Sequence, residues 1–277
     1  DGTLRELSRL GLATGHFCSL AVSGERRLLL GASYDAGVVA SFRLADHGAV
    51  REKASQLELP RFPKGRKELA RAHDVEFNND GSLAFVPDIA NDRIYTLAID
   101  PDGTLIQKSF ISSDSFQGPR HLVLNAGASR LYVLNQMGSS IVGFDHDGRG
   151  GLSEFQTIPT IPSDYDGPQN HSAEILLHPS AKHIYASNRI HDSLTVFQVD
   201  PRGRLTLTQR VSSGGARPWS FVLTGDGEFL ICSNRKSDNL VVFKIGQGSG
   251  ELTPIGDAVR VPGPISLALR ETEDREG

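Results

Sequence analysis

The chain has 277 residues, with 29 Lys and Arg against 33 Asp and Glu for a formal charge of −4, and 38% of its residues are hydrophobic. That balance excludes a chain-wide attraction for nucleic-acid phosphates or an anionic membrane surface, and the composition is too apolar and too mixed for a disordered chain. No apolar run approaches the roughly 20 residues of a membrane-spanning helix, and two cysteines, Cys18 and Cys232, form neither a disulfide framework nor a metal-type C-x-x-C pair. The expectation is a soluble globular protein of a reducing compartment, by default the cytoplasm. The chain opens at Asp1 and its only methionine is Met137, so the native start and any targeting segment are expected upstream.

In chain order, the sequence is governed by a repeat. Segments beginning at Ser19 (SLAVSGERRLLLGASYDAGVVASF), Asp74, His121, Glu174 and Ser220 align without a gap, with starts 55, 47, 53 and 46 residues apart. Each opens with a short apolar run and passes through a polar turn such as NNDG or TGDG to a second apolar run. A further polar turn leads to a third run that closes on Phe42, Leu97, Phe144, Phe197 or Phe243. Runs of four to six residues rich in Val, Ile, Leu and Phe, bounded by Gly, Asn, Asp and Ser, read as strands. A fourth strand is predicted after each turn of the connecting segments: LIQKSFI after Asp102-Gly103, LSEFQTI after Gly150-Gly151 and LTLTQRV after Arg202-Gly203. DGTLREL at the start resembles a stray fourth strand, and PISLALR near the end a stray first one.

Four antiparallel strands in units of about 45 to 50 residues are the mark of propeller blades. The predicted fold is therefore all-β, a β-propeller of four-stranded antiparallel blades, read as a single domain over residues 1–277. A β-sandwich with accidental similarity is the alternative, and five ungapped copies weigh against it. Five whole units with fragments at both ends leave the blade count open, which fits a missing N-terminal portion.

In an antiparallel meander the start of strand one and the end of strand two share one face, so two columns of the alignment should converge there. The leading column holds His16, Arg71, His73, Asp74, Gly118, Arg120, His121, His171, Glu174 and Arg217. The trailing column holds Ser33, Tyr34, Asp88, Asn135, Gln136, Asn188, Arg189, Asn234 and Arg235, with His191 and Asp192 just beyond. Cationic and imidazole groups are dense in both. Asn135, Asn188 and Asn234 recur from copy to copy and read as satisfiers of turn backbone. Asp92, Asp192 and Asp238 recur likewise and read as turn or inter-blade anchors. Arg189, His191, Arg217 and His171 break the repeat, so a local purpose is the better reading for them. The insertion from Pro60 to His73 adds Arg61, Lys64, Arg66 and Lys67, either steering an anionic substrate or forming a solvated loop.

The stretches AHDVEF with VPDIANDRIY, GPRHLVL with LYVLNQ, SAEILLHP with IYASNRIHDSLTVF, and ARPWSFVLTGDGEFLICSNRKSDNLVVF resemble the lactonase-type seven-bladed β-propeller family, over nearly the whole span from Asp1 to Arg270. That family includes propeller 6-phosphogluconolactonases and carboxy-cis,cis-muconate lactonising enzymes. The resemblance implies seven blades and places the family's functional His on His73 and its Arg on Arg120. It implies an acidic residue at position 136, where this chain has Gln136. A carboxylate can shuttle a proton and a carboxamide cannot, so the substitution implies impaired or changed activity unless His73 or Glu174 takes over the role.

Three functional classes follow. The first, preferred here, is a hydrolase of an anionic sugar-acid lactone: His73, Arg120 and Gln136 form the catalytic set, and Arg71, His121, Glu174, Arg189, His191 and Arg217 contact substrate. The second is a carboxy-muconate lactonising cycloisomerase, in which the same cations hold the carboxylates. The third is a non-catalytic binding or scaffold propeller, a class Gln136 favours. The expected partner is a small anionic lactone or carboxylate rather than nucleic acid or a membrane. No cofactor is implied, no metal site has recognisable spacing, and the sequence points to no particular oligomeric state.

Overall fold

The computed structural model describes residues 3–11, 15–60 and 69–270. Twenty strands form five four-stranded antiparallel sheets, each made of four consecutive strands in sequence order, and no helix occurs among the described residues. The first sheet holds β1 (Phe17–Ser23), β2 (Leu28–Ser33), β3 (Val38–Leu44) and β4 (Val50–Glu58). The second holds β5 (Glu76–Phe77), β6 (Leu83–Asp88), β7 (Arg93–Ile99) and β8 (Leu105–Ser112). The third holds β9 (Pro119–Leu124), β10 (Arg130–Asn135), β11 (Ser140–His146) and β12 (Leu152–Pro159). The fourth holds β13 (Ser172–Leu177), β14 (His183–Asn188), β15 (Ser193–Val199) and β16 (Leu205–Ser212). The fifth holds β17 (Pro218–Leu223), β18 (Phe229–Asn234), β19 (Asn239–Ile245) and β20 (Leu252–Arg260). One aligned copy of the repeat is thus one sheet, and the fold is that of a β-propeller.

By its contacts the chain divides into two compact units, Asp1–Val133 with Phe144–Glu154 and Leu134–Gly143 with Phe155–Gly277. Each has its own apolar core. In the first, Leu30, Ala32 and Val39 of one sheet pack with Ala84, Val86, Tyr95 and Leu97 of the next. In the second, Tyr185, Leu194 and Val196 pack with Phe221, Leu230, Cys232 and Phe243. In the first four sheets the second and third strands are buried along most of their length, as in Leu83–Asp88, because both their faces are covered, whereas Asn239–Ile245 of the fifth is only partly buried. The fourth strand is an edge of its sheet and alternates, as in Leu105–Ser112, with side chains turned by turns to neighbour and to water.

The hairpin between the second and third strands is built alike in all five copies. Gly37, Asp92, Ser139, Asp192 and Asp238 occupy one alignment position, and all are left-handed, with φ of 64°, 52°, 48°, 52° and 53°. Asp tolerates this region better than most residues and its carboxylate adds a tie. Asp92 accepts the Phe116 and Gly118 amides at 2.9 and 2.7 Å, Asp192 the Arg217 amide at 2.7 Å, and Asp238 the Gly263 amide at 2.8 Å. Each carboxylate therefore anchors the chain as it enters the following repeat. At Gly37 a Cβ would lie 2.4 Å from the Ala70 carbonyl, so there the following segment packs directly on the turn.

Two local expectations differ from the structure. Neither 3–11 nor 265–270 forms a strand of a sheet, and a strand exists only where a neighbouring strand takes its backbone groups in a ladder. The first strand of the second copy is also shorter than the DVEF motif suggests. It is confined to Glu76–Phe77, preceded by an isolated Ala72↔Asp88 bridge, because Asp74 Oδ1 takes the Val75 amide at 2.9 Å in place of a strand partner. Arg61, Lys64, Arg66 and Lys67 of the basic insertion lie outside the described residues.

Candidate functional site

Counting from the first residue of each aligned segment, position −2 pairs with position +14: Phe17↔Ser33, Ala72↔Asp88, Ser172↔Asn188 and Pro218↔Asn234. The register then slips by one. In the first sheet pairing resumes at Ser19↔Ala32 and in the fifth at Ser220↔Ser233, so Cys18 and Trp219 are the extra, bulged residues. In the second and fourth copies the slip falls between Ala72 and Glu76 and between Ser172 and Ile175. A bulge bends the strand and re-aims a side chain away from the alternating pattern. At position −1 stand Cys18, His73, Arg120, Ala173 and Trp219, and of these only Ala173 is an apolar residue fully buried in the core.

The second source of chemistry is position +15, the first residue beyond the second strand, occupied by Tyr34, Ile89, Gln136, Arg189 and Arg235. Its amide donates to the carbonyl at position −3 in three copies, Ile89 to Arg71 at 3.2 Å, Arg189 to His171 at 3.0 Å and Arg235 to Arg217 at 3.0 Å. That recurring bond fixes positions −3, −1 and +15 as neighbours at one end of each sheet.

In the first unit this arrangement brings together four of the residues singled out from the sequence. Arg71 lies over the Tyr34 ring at 4.4 Å, Tyr34 meets His73 edge-on at 5.6 Å, His73 faces His121 at 5.1 Å, and Arg120 Nη1 is 3.1 Å from His121 Nε2. Because Arg can only donate, His121 accepts at Nε2 and in its neutral form carries its proton on Nδ1. Arg120 is 3% exposed while His73 and His121 are half-buried, so a fixed cation stands beside two accessible imidazoles. Tyr34, which completes the row, stands at the position Gln136 occupies two copies later, and that shared column was the signal for it.

Asp74, next to His73, is committed to structure. Its carboxylate is 7% exposed and accepts Ser19 Oγ at 2.6 Å, the Val75 amide at 2.9 Å and the Leu122 amide at 3.0 Å, joining three successive copies. Asp88 is wholly buried and takes the Arg71 and Ala90 amides and the Asn91 side chain at 2.8, 3.0 and 2.8 Å.

The second unit holds a different cluster. Arg189 and Arg235 each lie over the Trp219 ring, at 4.4 and 4.6 Å. Arg189 is 8% exposed and donates through Nε to the His171 carbonyl at 3.2 Å. Burial, then the charges of Arg189 and Arg217, lowers the His171 pKa. Arg217 takes φ of 58° at the position where the third copy has Gly118 at 63°. A left-handed arginine costs roughly 1–2 kcal/mol that a glycine would not. Arg235 stood in the trailing column of the alignment, whereas Trp219 was not singled out, although it shares its alignment position with His73 and Arg120.

The remaining candidates make contacts of their own. His191 stacks on Tyr165 at 5.0 Å and bonds Ser193 Oγ at 2.8 Å, and burial, then Arg210, lowers its pKa. Glu174 receives the Ile175 amide at 3.3 Å. Gln136 points Nε2 at Met137 Sδ, 3.4 Å away, and its carbonyl accepts the Ser172 amide at 3.0 Å. The Asn column is buried and satisfied: Asn188 alone accepts from Thr160, Asn170 and Ser172 and donates to Thr160, Ser193 and Thr195. Among the described residues no three His, Cys, Asp or Glu side chains converge as a metal site would require.

Comparison with known proteins bears on the chain as a whole. The 6-phosphogluconolactonase of Bacillus subtilis is 28% identical over 253 residues, covering 90% of this chain and 72% of the relative. The crystal structure of the periplasmic gluconolactonase of Pseudomonas aeruginosa superimposes with a TM-score of 0.88 at 25% identity, over 96% of this chain and 76% of that one. A protein of Lactobacillus plantarum superimposes at 0.84 with 27% identity, over 90% and 73% of the two chains. The family described as lactonase, 7-bladed beta-propeller, matches residues 1–269, and the chain belongs to that family.

Proposed function

We propose that this protein hydrolyses the lactone of an anionic sugar acid, in the manner of a 6-phosphogluconolactonase. The observation that carries the reading is the row His73, His121, Arg120, in which two half-buried imidazoles and a fixed guanidinium lie within contact of one another in a single unit. It is supported by the names of the relatives, a 6-phosphogluconolactonase and a gluconolactonase.

Hydrolysis needs a base for water and a positive group where charge develops. In this reading His73 takes a proton from water as the water oxygen bonds to the lactone carbonyl carbon. Arg120 stabilises the resulting oxyanion, and its bond to His121 holds both side chains in place. Collapse of the tetrahedral intermediate breaks the ring C–O bond, and the departing alkoxide takes the proton back from the His73 imidazolium. Arg71, stacked on Tyr34, supplies a cation for an acidic substituent. Gln136 holds no proton to transfer, so the imidazole carries the acid–base work alone. Cytoplasmic residence belongs to this reading and is supported by Cys18 and Cys232 standing as free thiols.

Cycloisomerisation of a carboxy-muconate is the weaker reading, because protonating carbon calls for an acid where this chain has a carboxamide. Proton release from 6-phosphogluconolactone and gluconolactone tests the proposal. Turnover should fall at least about a hundredfold in His73→Ala and Arg120→Ala, the usual scale for losing a general base or an oxyanion donor. Unchanged rates in folded variants would remove both residues from the mechanism. Gln136→Glu should raise turnover if position 136 borders the reacting atoms.

A further inference from the structure

The second cluster has features that a turn or a core does not require. Its components come from the ends of β14 and β18 and the start of β17, where two guanidinium groups lie on one indole and the backbone of a third arginine, Arg217, is bonded to Arg235. Arg189 and Arg235 both lie on the Trp219 ring, within 4.6 Å. A guanidinium stacked by its face keeps its edge N–H donors directed outward, the geometry that forks onto a phosphate or carboxylate.

Arg217 and Arg235 are exposed, and among the described residues neither has an ion-pair partner. Asp192, the carboxylate on this turn, spends Oδ1 on the Arg217 backbone amide. The His171 pKa is lowered first by burial and then by the nearby charges of Arg189 and Arg217. The backbone at residue 217 adds a separate indication. The left-handed turn that suits Gly118 in the third copy carries an arginine here, with the same amide-to-Asp bond at the same 2.7 Å. A charged side chain kept at a strained position, where glycine serves elsewhere in the same chain, points to a task for the charge.

We propose that Trp219 with Arg189, Arg217 and Arg235 forms a seat for a small oxyanion, the phosphate or carboxylate group of the ligand. The seat lies within the second unit and goes beyond the lactonase reading, since nothing in it depends on which reaction the first unit carries out. The indole sets the planes of two guanidinium groups, Arg217 closes the group from the neighbouring turn, and the oxyanion neutralises charges that otherwise repel one another.

Trp219 is the only tryptophan in the chain, so its emission reports this place alone. The experiment titrates the purified protein with inorganic phosphate and, separately, with acetate at fixed ionic strength, reading tryptophan fluorescence and the melting temperature. A saturable response to either anion is expected, with Kd raised at least fivefold in Arg217→Gly and in Arg235→Gln. Arg217→Gly should fold at least as well as the parent, because glycine suits the backbone there, so loss of binding in it cannot be attributed to unfolding. Response to phosphate alone assigns the seat to a phosphate group, and response to acetate as well extends it to carboxylates. No saturable response by either readout, or variants that bind as the parent does, overturns the proposal. Because no turnover is measured, a catalytically inert protein that binds phosphate here would sink the hydrolase reading and leave this one standing.

Discussion

Replacing Asp74 separates a structural carboxylate from a catalytic one, since it is adjacent to His73 in sequence and buried beneath the proposed site. Its three hydrogen bonds, to Ser19 Oγ and to the Val75 and Leu122 amides, reach three different copies of the repeat. Asp74→Ala removes all three and leaves the Leu122 amide and the Ser19 hydroxyl facing an apolar gap. Bonds to a charged group are worth about 1.5–3 kcal/mol each, and an orphaned buried donor costs about 1–3 kcal/mol; with partial relaxation toward water, the expected loss is about 4 kcal/mol. In Asp74→Asn the carboxamide oxygen can still accept Leu122 while its NH2 meets the Ser19 hydroxyl, leaving only the Val75 amide opposed, so the expected loss is about 1–2 kcal/mol. At about 2 °C per kcal/mol for a chain of this size, the melting temperature should fall by about 8 °C in the first variant and about 3 °C in the second. Calorimetry supplies the stability values, and lactone turnover well below the transition supplies activity. A stability loss in Asp74→Ala under about 1 kcal/mol, together with abolished turnover, would refute the structural assignment and make the carboxylate part of the chemistry.

Tyr34 contributes ring faces and edges rather than a hydrogen bond to the row from Arg71 to His73, so Tyr34→Phe should leave kcat/KM within about twofold while Tyr34→Ala lowers it about fivefold, through loss of about 1 kcal/mol of cation–π and aromatic contact. Equal effects of the two variants would place the phenol oxygen in the mechanism. Asn188→Ala should cost about 3–4 kcal/mol, because it strips buried partners from Thr160, Asn170, Ser172 and Thr195 at once; denaturation with urea checks this, and a loss below about 1 kcal/mol would show that those groups repair their bonds among themselves. The pKa values of His171, His183 and His191 are all lowered from 6.5, by burial first and then by Arg189 and Arg217, by His178 and Lys182, and by Arg210 respectively. Below pH 6.5 the unfolded chain therefore binds protons that the native one refuses, so stability should decline as pH drops through that value. A melting temperature that stays constant between about pH 7.5 and 5 would contradict those burials.

Local chemistry along the chain was enough to determine the strands, their turns and their grouping in fours. Each copy repeats the same order of apolar runs, left-handed turn residues and closing aromatic, and these act over a few residues. The anchoring role of Asp92, Asp192 and Asp238 was legible for the same reason, as a residue fitted to a turn and recurring at its position. So was the gathering of His73, Arg120, His121 and Arg71, since all four stand in the leading column of two successive copies, and the repeat sends that column of each blade to a common face. Only the folded chain decided which side chains escape the repeat. The register slip that bulges Cys18 and Trp219 depends on how the first two strands pair, and pairing is a property of the sheet. The partnering of Trp219 with Arg235, 16 positions away, follows the pairing of β17 with β18, and that with Arg189, 30 positions away, required the fourth and fifth sheets to pack first. Asp74 shows the converse: its place in the motif suggested chemistry, yet a carboxylate buried among three donors from three copies is spent on holding them together.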